Sequence, residues 1–311
     1  MTMNLEQLRA FTEVARVGNF TRAAENLHLA QPSLSRQIAA LELDLGAELF
    51  VRARGGSTLT VAGESLLPLA RRMLADADSV RRELAELAGL QRGVVRLGAT
   101  PTLCISLVAE VFSAFHADHP GIELHLSEHG SRRLLDELAG GELDLALITT
   151  SAPSSAEPFT VAPLLVEELV VISSAAAPPL ATRRRGTIGL AEVAALPQIV
   201  FSSSYDLRGT TDDAFAVAGL TPEVVLEGAE MDAVLRFVER GLGVAIVPAM
   251  VLIDRPGLRS VRLAAPALTR TISLARPTGV VPTAAVGVMQ RTIAGTARAF
   301  AARAGATMRL A

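Results

Sequence analysis

The sequence predicts a multidomain α+β protein. An N-terminal winged helix-turn-helix comes first, then one long linker helix, then a C-terminal α/β part built of two units. Three observations carry this expectation. Apolar residues recur at helical spacing in short segments over the first 60 residues. They then recur in alternating steps of four and three from Leu66 to Leu87. From Val94 onward, apolar strands alternate with helical stretches, the pattern of a parallel, doubly wound sheet.

Leu5, Leu8, Phe11, Val14 and Ala15 define a first helix over Leu5–Val17, which Gly18-Asn19 stops. Phe20 and Thr21 open a second, with Thr21 as the expected N-cap and Ala23, Ala24 and Leu27 facing inward. Gln31-Pro32 starts a third. Proline suits the first helical position, where an N–H has no intrahelical acceptor. Leu34, Ile38, Leu41 and Leu45 form one stripe along it, and Gly46 is placed to end it.

Two helices joined by about four residues, with small alanines at their crossing, make a helix-turn-helix. Opposite the apolar stripe, the third helix carries Gln31, Ser33, Ser35, Arg36 and Gln37 at its N-terminal end, the end that meets base edges in such motifs. Arg52-Ala53-Arg54-Gly55-Gly56, between Leu49-Phe50 and Leu59, reads as a two-stranded wing. The competing reading is a helical bundle with a solvated arginine face.

Thr60 is the expected cap of the long helix. Leu66, Ala70, Met73, Ala77, Val80, Leu84 and Leu87 repeat with the 3.5-residue period of a dimer seam. Pro68 removes one hydrogen bond near its start. Beyond Gly93, strands are expected at Val94–Thr100, Ile122–Ser127 and Leu143–Thr149, with helices at Leu103–His119 and Ser131–Ala139. A second unit has strands at Glu167–Ser173, Gln198–Phe201, Glu223–Glu227 and Gly243–Val247, and helices at Asp212–Ala218 and Met231–Arg240. Leu258–Ala264 and Thr269–Arg276 are extended, and Thr283–Arg303 is a final helix. Segments near Val166–Glu168 and Ala267–Thr271 cross between the units and provide a hinge.

Composition narrows the function. The chain has 311 residues, one cysteine (Cys104), no tryptophan and one tyrosine, so it offers neither an intrachain disulfide nor an aromatic platform for stacked bases. All 29 basic residues are arginine, which excludes a catalytic lysine and a Walker-type phosphate loop. In residues 1–92, 11 arginines balance 11 acids. Charge is nevertheless placed locally: over residues 16–36 and 52–54, Arg16, Arg22, Arg36, Arg52 and Arg54 face only Glu25. No apolar stretch suits a signal peptide or a membrane span, so a cytoplasmic location without membrane contact is expected. The motifs H-E-x-x-H, G-x-S-x-G and G-x-G-x-x-G are missing, and no enzymatic activity and no cofactor are expected.

Several runs together resemble the LysR-type bacterial transcription regulators: Asn4–Phe11, Gly18–Ala24, Gln31–Ile38, Leu41-Glu42, Leu45-Gly46, Leu49-Phe50 and Leu59-Thr60. In the C-terminal half, Glu128–Ser131, Leu134-Leu135, Gly141–Ala146 and Val238–Pro248 match the same family pattern. Two departures stand out: Ala30 occupies a position where the family usually has Ser, and lysine is absent. The resemblance implies a winged helix-turn-helix over residues 1–60, a dimerising linker helix over 61–90 and an effector-binding domain over 91–311. That domain would be folded like a periplasmic solute-binding protein, with subdomain I at 91–166 and 271–311 and subdomain II at 167–270.

Double-stranded DNA, a small-molecule effector with carboxylates among the candidates, and further copies of the chain in a homodimer or tetramer are the implied partners. RNA polymerase is a further candidate. The competing classes are an extracytoplasmic solute carrier and an enzyme fused to a DNA-binding domain.

DNA contacts are expected from Thr21, Arg22, Gln31, Pro32, Ser33, Ser35 and Arg36, with Arg52 and Arg54 of the wing on phosphates. Effector contacts are expected from Thr100, Thr149, Thr150, Ser202, Ser203 and Ser204, hydroxyls that follow strands of the two units. Cys104 is expected to be a packed thiol. His116, His119, His125 and His129 are expected to lie at helix and strand ends and not to ligate a metal.

Overall fold

The structure, a computed structural model, describes residues 3–53, 56–86, 93–150, 158–180, 186–203, 205–228, 230–264 and 267–311. It divides into two compact units, Met1–Gly89 with Asp136–Leu143, and Leu90–Leu135 with Asp144–Ala311.

The first unit opens with α1 (Leu5–Val17), α2 (Phe20–Asn26) and α3 (Gln31–Leu45). Asn4 caps α1 in a reciprocal box with Gln7, and Gly18 ends it in the left-handed region at φ 67°. The cap of α2 is Asn19, not Thr21: its side-chain oxygen accepts from both Thr21 N and Arg22 N. A carboxamide oxygen on this extended residue reaches two orphan donors at once, which leaves the Thr21 hydroxyl at the surface. Leu34, Ile38 and Leu41 of α3 are fully buried, but Leu45 is 41% exposed, because Gly46 turns the chain away at that point.

The wing forms from β1 (Phe50–Ala53) and β2 (Gly56–Leu59), antiparallel with Phe50 opposite Leu59. Ser57 N–H donates to the Gly18 carbonyl at 2.8 Å and docks the wing on the α1–α2 turn. Phe50 sits between the rings of Phe11 and Phe20, at 5.4 and 5.5 Å, within the core of this unit.

The long helix, α4 (Val61–Glu86), starts where Thr60 Oγ1 accepts from Gly63 N–H and donates to the Glu48 carbonyl. A Cβ at Gly63 would overlap the Leu49 carbonyl oxygen and come within 2.8 Å of Leu59 Cδ2. Gly63→Ala is therefore expected to lower the stability of this unit by about 2 kcal/mol despite alanine's better helix propensity. Thermal unfolding checks it, and an unshifted first transition would show that the wing backbone yields.

The α4 stripe divides in a way that its period does not reveal. Leu66, Leu67, Ala70 and Leu74 pack into the helix-turn-helix core, while Leu69, Met73 and Val80 stay 55%, 41% and 56% exposed. Leu66 and Ala70, expected in a seam between chains, are thus intrachain core residues. Leu87 lies outside the described residues.

The second unit begins with β3 (Gly93–Ala99), followed by α5 (Pro101–Leu103), a π-helical turn (Cys104–Val108) and α6 (Ala109–Asp118) as one continuous helical path. Next come β4 (Ile122–Glu128), α7 (Ser131–Ala139), whose residues from Asp136 on are counted with the first unit, and β5 (Leu145–Thr150). The 16-residue β6 (Phe159–Ser174) leads to β7 (Thr187–Ile188), α8 (Leu190–Ala194), β8 (Gln198–Val200), α9 (Asp206–Val217), β9 (Val224–Glu227), α10 (Met231–Glu239) and β10 (Ala245–Pro248). β11 (Leu258–Leu263), β12 (Thr269–Pro277), α11 (Ala284–Ala304) and β13 (Met308–Leu310) complete the chain.

The sheet is mixed, not purely parallel. Its order is β4-β3-β5-β12-β6-β11-β7, with β10 and β13 also on β6. β3 runs parallel to β4 and β5, but β12 lies antiparallel between β5 and β6. β6 pairs with β12 through Phe159–Glu168, and its last residues pair with β10 and β11. Glu167 stands directly opposite Arg270 where these ladders meet.

Candidate nucleic-acid interface and effector site

In the first unit, Thr21 and Arg22 of α2 are exposed, as are Gln31, Pro32 and Arg36 at the start of α3. Ser33 and Ser35 are half-buried, and Gln31 Nε2 donates to Ser35 Oγ at 3.0 Å. Among the described residues neither Arg22 nor Arg36 has an ion-pair partner. Both are therefore free to meet phosphate or a base edge. Arg16, counted with them on sequence, is held by Glu13 through Nε at 2.8 Å and Nη2 at 2.6 Å. That pairing holds the Glu13 carboxyl below its usual range. Ala30 closes the turn before α3 in extended geometry without a side-chain cap, so Ser33 N and Leu34 N are satisfied by the Ala30 carbonyl alone. Arg52 lies on β1, opposite Ser57. Arg54 is outside the described residues.

In the second unit the carboxyl ends of β3, β4 and β5 lie side by side, because the three strands are parallel neighbours. They deliver Thr100, Glu128 and Thr149-Thr150. The parallel pair β8–β9 delivers Ser202, Ser203 and Tyr205 after one strand and Glu227, Gly228 and Glu230 after the other. Such strand ends are where open α/β sheets bind ligands.

Thr100 has the backbone geometry of an N-cap, but its side chain caps nothing. It is 4% exposed, and its hydroxyl has no partner among the described residues. Thr149 is partly committed to structure, since its N–H donates to Ser131 Oγ at 3.1 Å. Thr150 and Ser202 are half-buried, Ser203 is exposed, and Ser204 lies outside the described residues.

The geometry adds residues that hydroxyl counting passed over. Glu167 is fully buried, and Arg270 Nε donates to its Oε1 at 2.7 Å. Its other oxygen accepts the Met250 N–H at 3.1 Å, and Arg270 Nη1 donates to Thr102 Oγ1 at 3.1 Å. Tyr205 stacks on Phe201 at 4.8 Å, and its hydroxyl approaches Thr102 without completing an aligned hydrogen bond. Burial raises the Tyr205 phenol pKa, partly opposed by the Arg270 charge. A sequence signal did exist: Glu167 falls in phase with Leu165, Leu169 and Val171, the buried face of β6.

The Cys104 thiol pKa is pushed up to about 12 by burial, with Glu128 beside it. At pH 8 almost none of it is thiolate, so alkylation by iodoacetamide should run about a thousandfold slower than for an ordinary cysteine. Labelling followed by mass spectrometry checks this. His125 lies 2.7 Å from Glu123, His119 packs against Phe115, and no three metal-ligating side chains gather among the described residues. No helix is long and apolar enough to cross a membrane among the described residues.

The chain matches two family models. Residues 5–64 match the bacterial regulatory helix-turn-helix protein, lysR family, and residues 88–297 match the LysR substrate binding domain. The HTH-type transcriptional regulator YybE of Bacillus subtilis is 34% identical over 273 residues, covering 88% of this chain and 92% of that protein. Full-length OxyR of Pseudomonas aeruginosa superimposes with a TM-score of 0.70 at 24% identity, covering 96% of this chain and 95% of that one. CbnR complexed with its target DNA gives 0.63 at 23% identity, covering 96% and 100%. The last two likenesses establish the fold.

Proposed function

Because the chain belongs to the LysR family of bacterial helix-turn-helix transcriptional regulators, we propose that it binds duplex DNA sequence-specifically as a homodimer or tetramer and answers to a small effector bound in its second unit. The observation that carries the DNA reading is the exposed start of α3, with Gln31 and Arg36 at the surface, together with exposed Arg22 on α2 and the two-stranded wing. Helix-turn-helix proteins place this end in the major groove, where Arg and Gln read guanine and adenine edges. The missing Ala30 hydroxyl and the absence of lysine leave phosphate contacts to arginine, amides and helix N-termini. Action on DNA places the protein in the cytoplasm, with RNA polymerase as a further partner, and the reading assigns it no catalysis.

Domain roles follow the same lines: residues 1–60 bind DNA, 61–90 dimerise, and 91–311 bind the effector. Closure about the paired strands β6 and β12 would alter oligomer shape and the spacing of the two DNA contacts. Thr100, Thr149, Thr150, Ser202 and Ser203 supply hydroxyls to the effector, and Tyr205 and Arg270 join them.

A gel shift on genomic fragments, followed by footprinting, tests the DNA reading. Arg36→Ala should weaken the specific complex by about 1–3 kcal/mol, and Arg22→Ala should lower affinity on all sequences and flatten its salt dependence. Unchanged affinity in both variants would remove α2 and α3 from the interface.

A further inference from the structure

The polar floor of the second unit is electrically closed. Arg270 and Glu167 are cross-strand neighbours, 9% and 0% exposed, and together carry no net charge. Around them, Thr100 Oγ1, the Tyr205 hydroxyl and Arg270 Nη2 are buried and complete no hydrogen bond among the described residues. Nη2 does lie 2.7 Å from Glu167 Oε1, in poor alignment. The Thr100 and Tyr205 hydroxyls can both donate, and buried donors without acceptors are costly, while Arg270 Nη2 is neutralised by Glu167 yet still open to a better aligned acceptor. The inner surface therefore calls for a ligand group rich in acceptors.

The rim has the opposite character. Glu128 ends β4 opposite Ala99, one residue before Thr100. Glu230 occupies the N-cap of α10 without a capping bond. Both are exposed, and both charges act on Tyr205. The basic side chain at this edge, Arg208, is engaged by Asp212 at 2.7 Å and Glu227 at 3.0 Å.

A simple carboxylate would add an unbalanced charge beside two rim acids and a neutral floor. A simple cation would leave the inner donors unmet. A ligand carrying both charges satisfies floor and rim together.

We propose that this site takes a small zwitterion of the α-amino-acid class. Thr100, Tyr205 and Arg270 hold its carboxylate, and Glu128 and Glu230 hold its ammonium group. The inference rests on the reading of the second unit as an effector module and gives that effector a chemical class.

The full-length protein is titrated with each of the common L-α-amino acids at millimolar concentration, by thermal shift and then calorimetry. Any amino acid that binds is compared with its des-amino carboxylate and with its amide. At least one amino acid should raise the unfolding midpoint saturably, and both analogues should bind at least about tenfold more weakly. Glu128→Gln combined with Glu230→Gln, both at exposed positions, should weaken the amino acid about tenfold and erase its advantage over the des-amino acid.

Failure of every amino acid to bind, or equal binding of the des-amino carboxylate, overturns the proposal. A gel shift with the same preparation keeps the two readings apart. DNA binding without amino-acid binding sinks only the zwitterion assignment, and amino-acid binding without DNA binding sinks only the regulator reading.

Discussion

Arg270→Leu is expected to destabilise the second unit by about 3–5 kcal/mol, the cost of leaving a buried carboxylate without its counter-ion. Glu167 is fully enclosed, and its oxygens are divided between Arg270 and the Met250 N–H. Removing the guanidinium leaves one backbone donor to solvate a full negative charge. It also strips Thr102 Oγ1 of its donor. Urea unfolding can read this unit alone, because Tyr205 is the only tyrosine and there is no tryptophan. The double replacement Glu167→Leu with Arg270→Leu should recover much of the loss, since apolar substitutes for both partners remove the stranded charge. A single substitution costing under about 1 kcal/mol would mean that water reaches Glu167.

The elements of this fold were legible wherever periodicity and punctuation agreed, as in α1, α3, the wing and α11. Structure and spacing part where a local residue type points the wrong way. Spacing predicts this strand from Glu167, whereas β6 begins at Phe159 and passes through Pro163. Proline normally argues against a central strand, but here it sits at a register shift opposite Ser273, where the ladder is already irregular. Sequence predicts α9 only from Asp212, because Gly209, Thr210 and Thr211 are poor helix formers, whereas packing of Leu207 and Phe215 holds them in the helix. The direction of β12 was hidden for a different reason. Alternation of strands and helices does not report that the chain returns from the far ladder and inserts antiparallel between β5 and β6.

The candidate sites were legible to different depths. The residues proposed to face DNA follow from one helix and its phase, so the exposure of Gln31 and Arg36 could be read from spacing alone. The residues proposed for the effector come from strands far apart in sequence, and only the hydroxyls after strand ends give a local signal. Arg270 and Glu167 are separated by 103 positions and become partners only through the β6–β12 register. Sequence spacing carries no trace of that pairing without an independent determination of strand order.

Replacing Met73 and Val80 together by glutamate should abolish the proposed dimer and reduce affinity for its DNA site by about 100-fold or more, because a single half-site contact would replace a bivalent one. The division of the α4 surface supports this expectation. Leu66, Leu67, Ala70 and Leu74 are already used within the chain, and Leu69, Met73 and Val80 form a separate exposed stripe at spacings of four and seven. Three exposed apolar side chains on one line of a helix fit the seam of a pair of helices better than a solvated surface. Glutamates on both copies would set like charges against each other in a desolvated contact. Both positions are exposed in the single chain, so its first unit should keep its unfolding midpoint, which separates loss of assembly from loss of fold. Sedimentation velocity with gel shifts on the same samples measures both consequences. A double variant that still sediments as a dimer would show that copies associate through another surface and that the exposed α4 stripe serves a different contact.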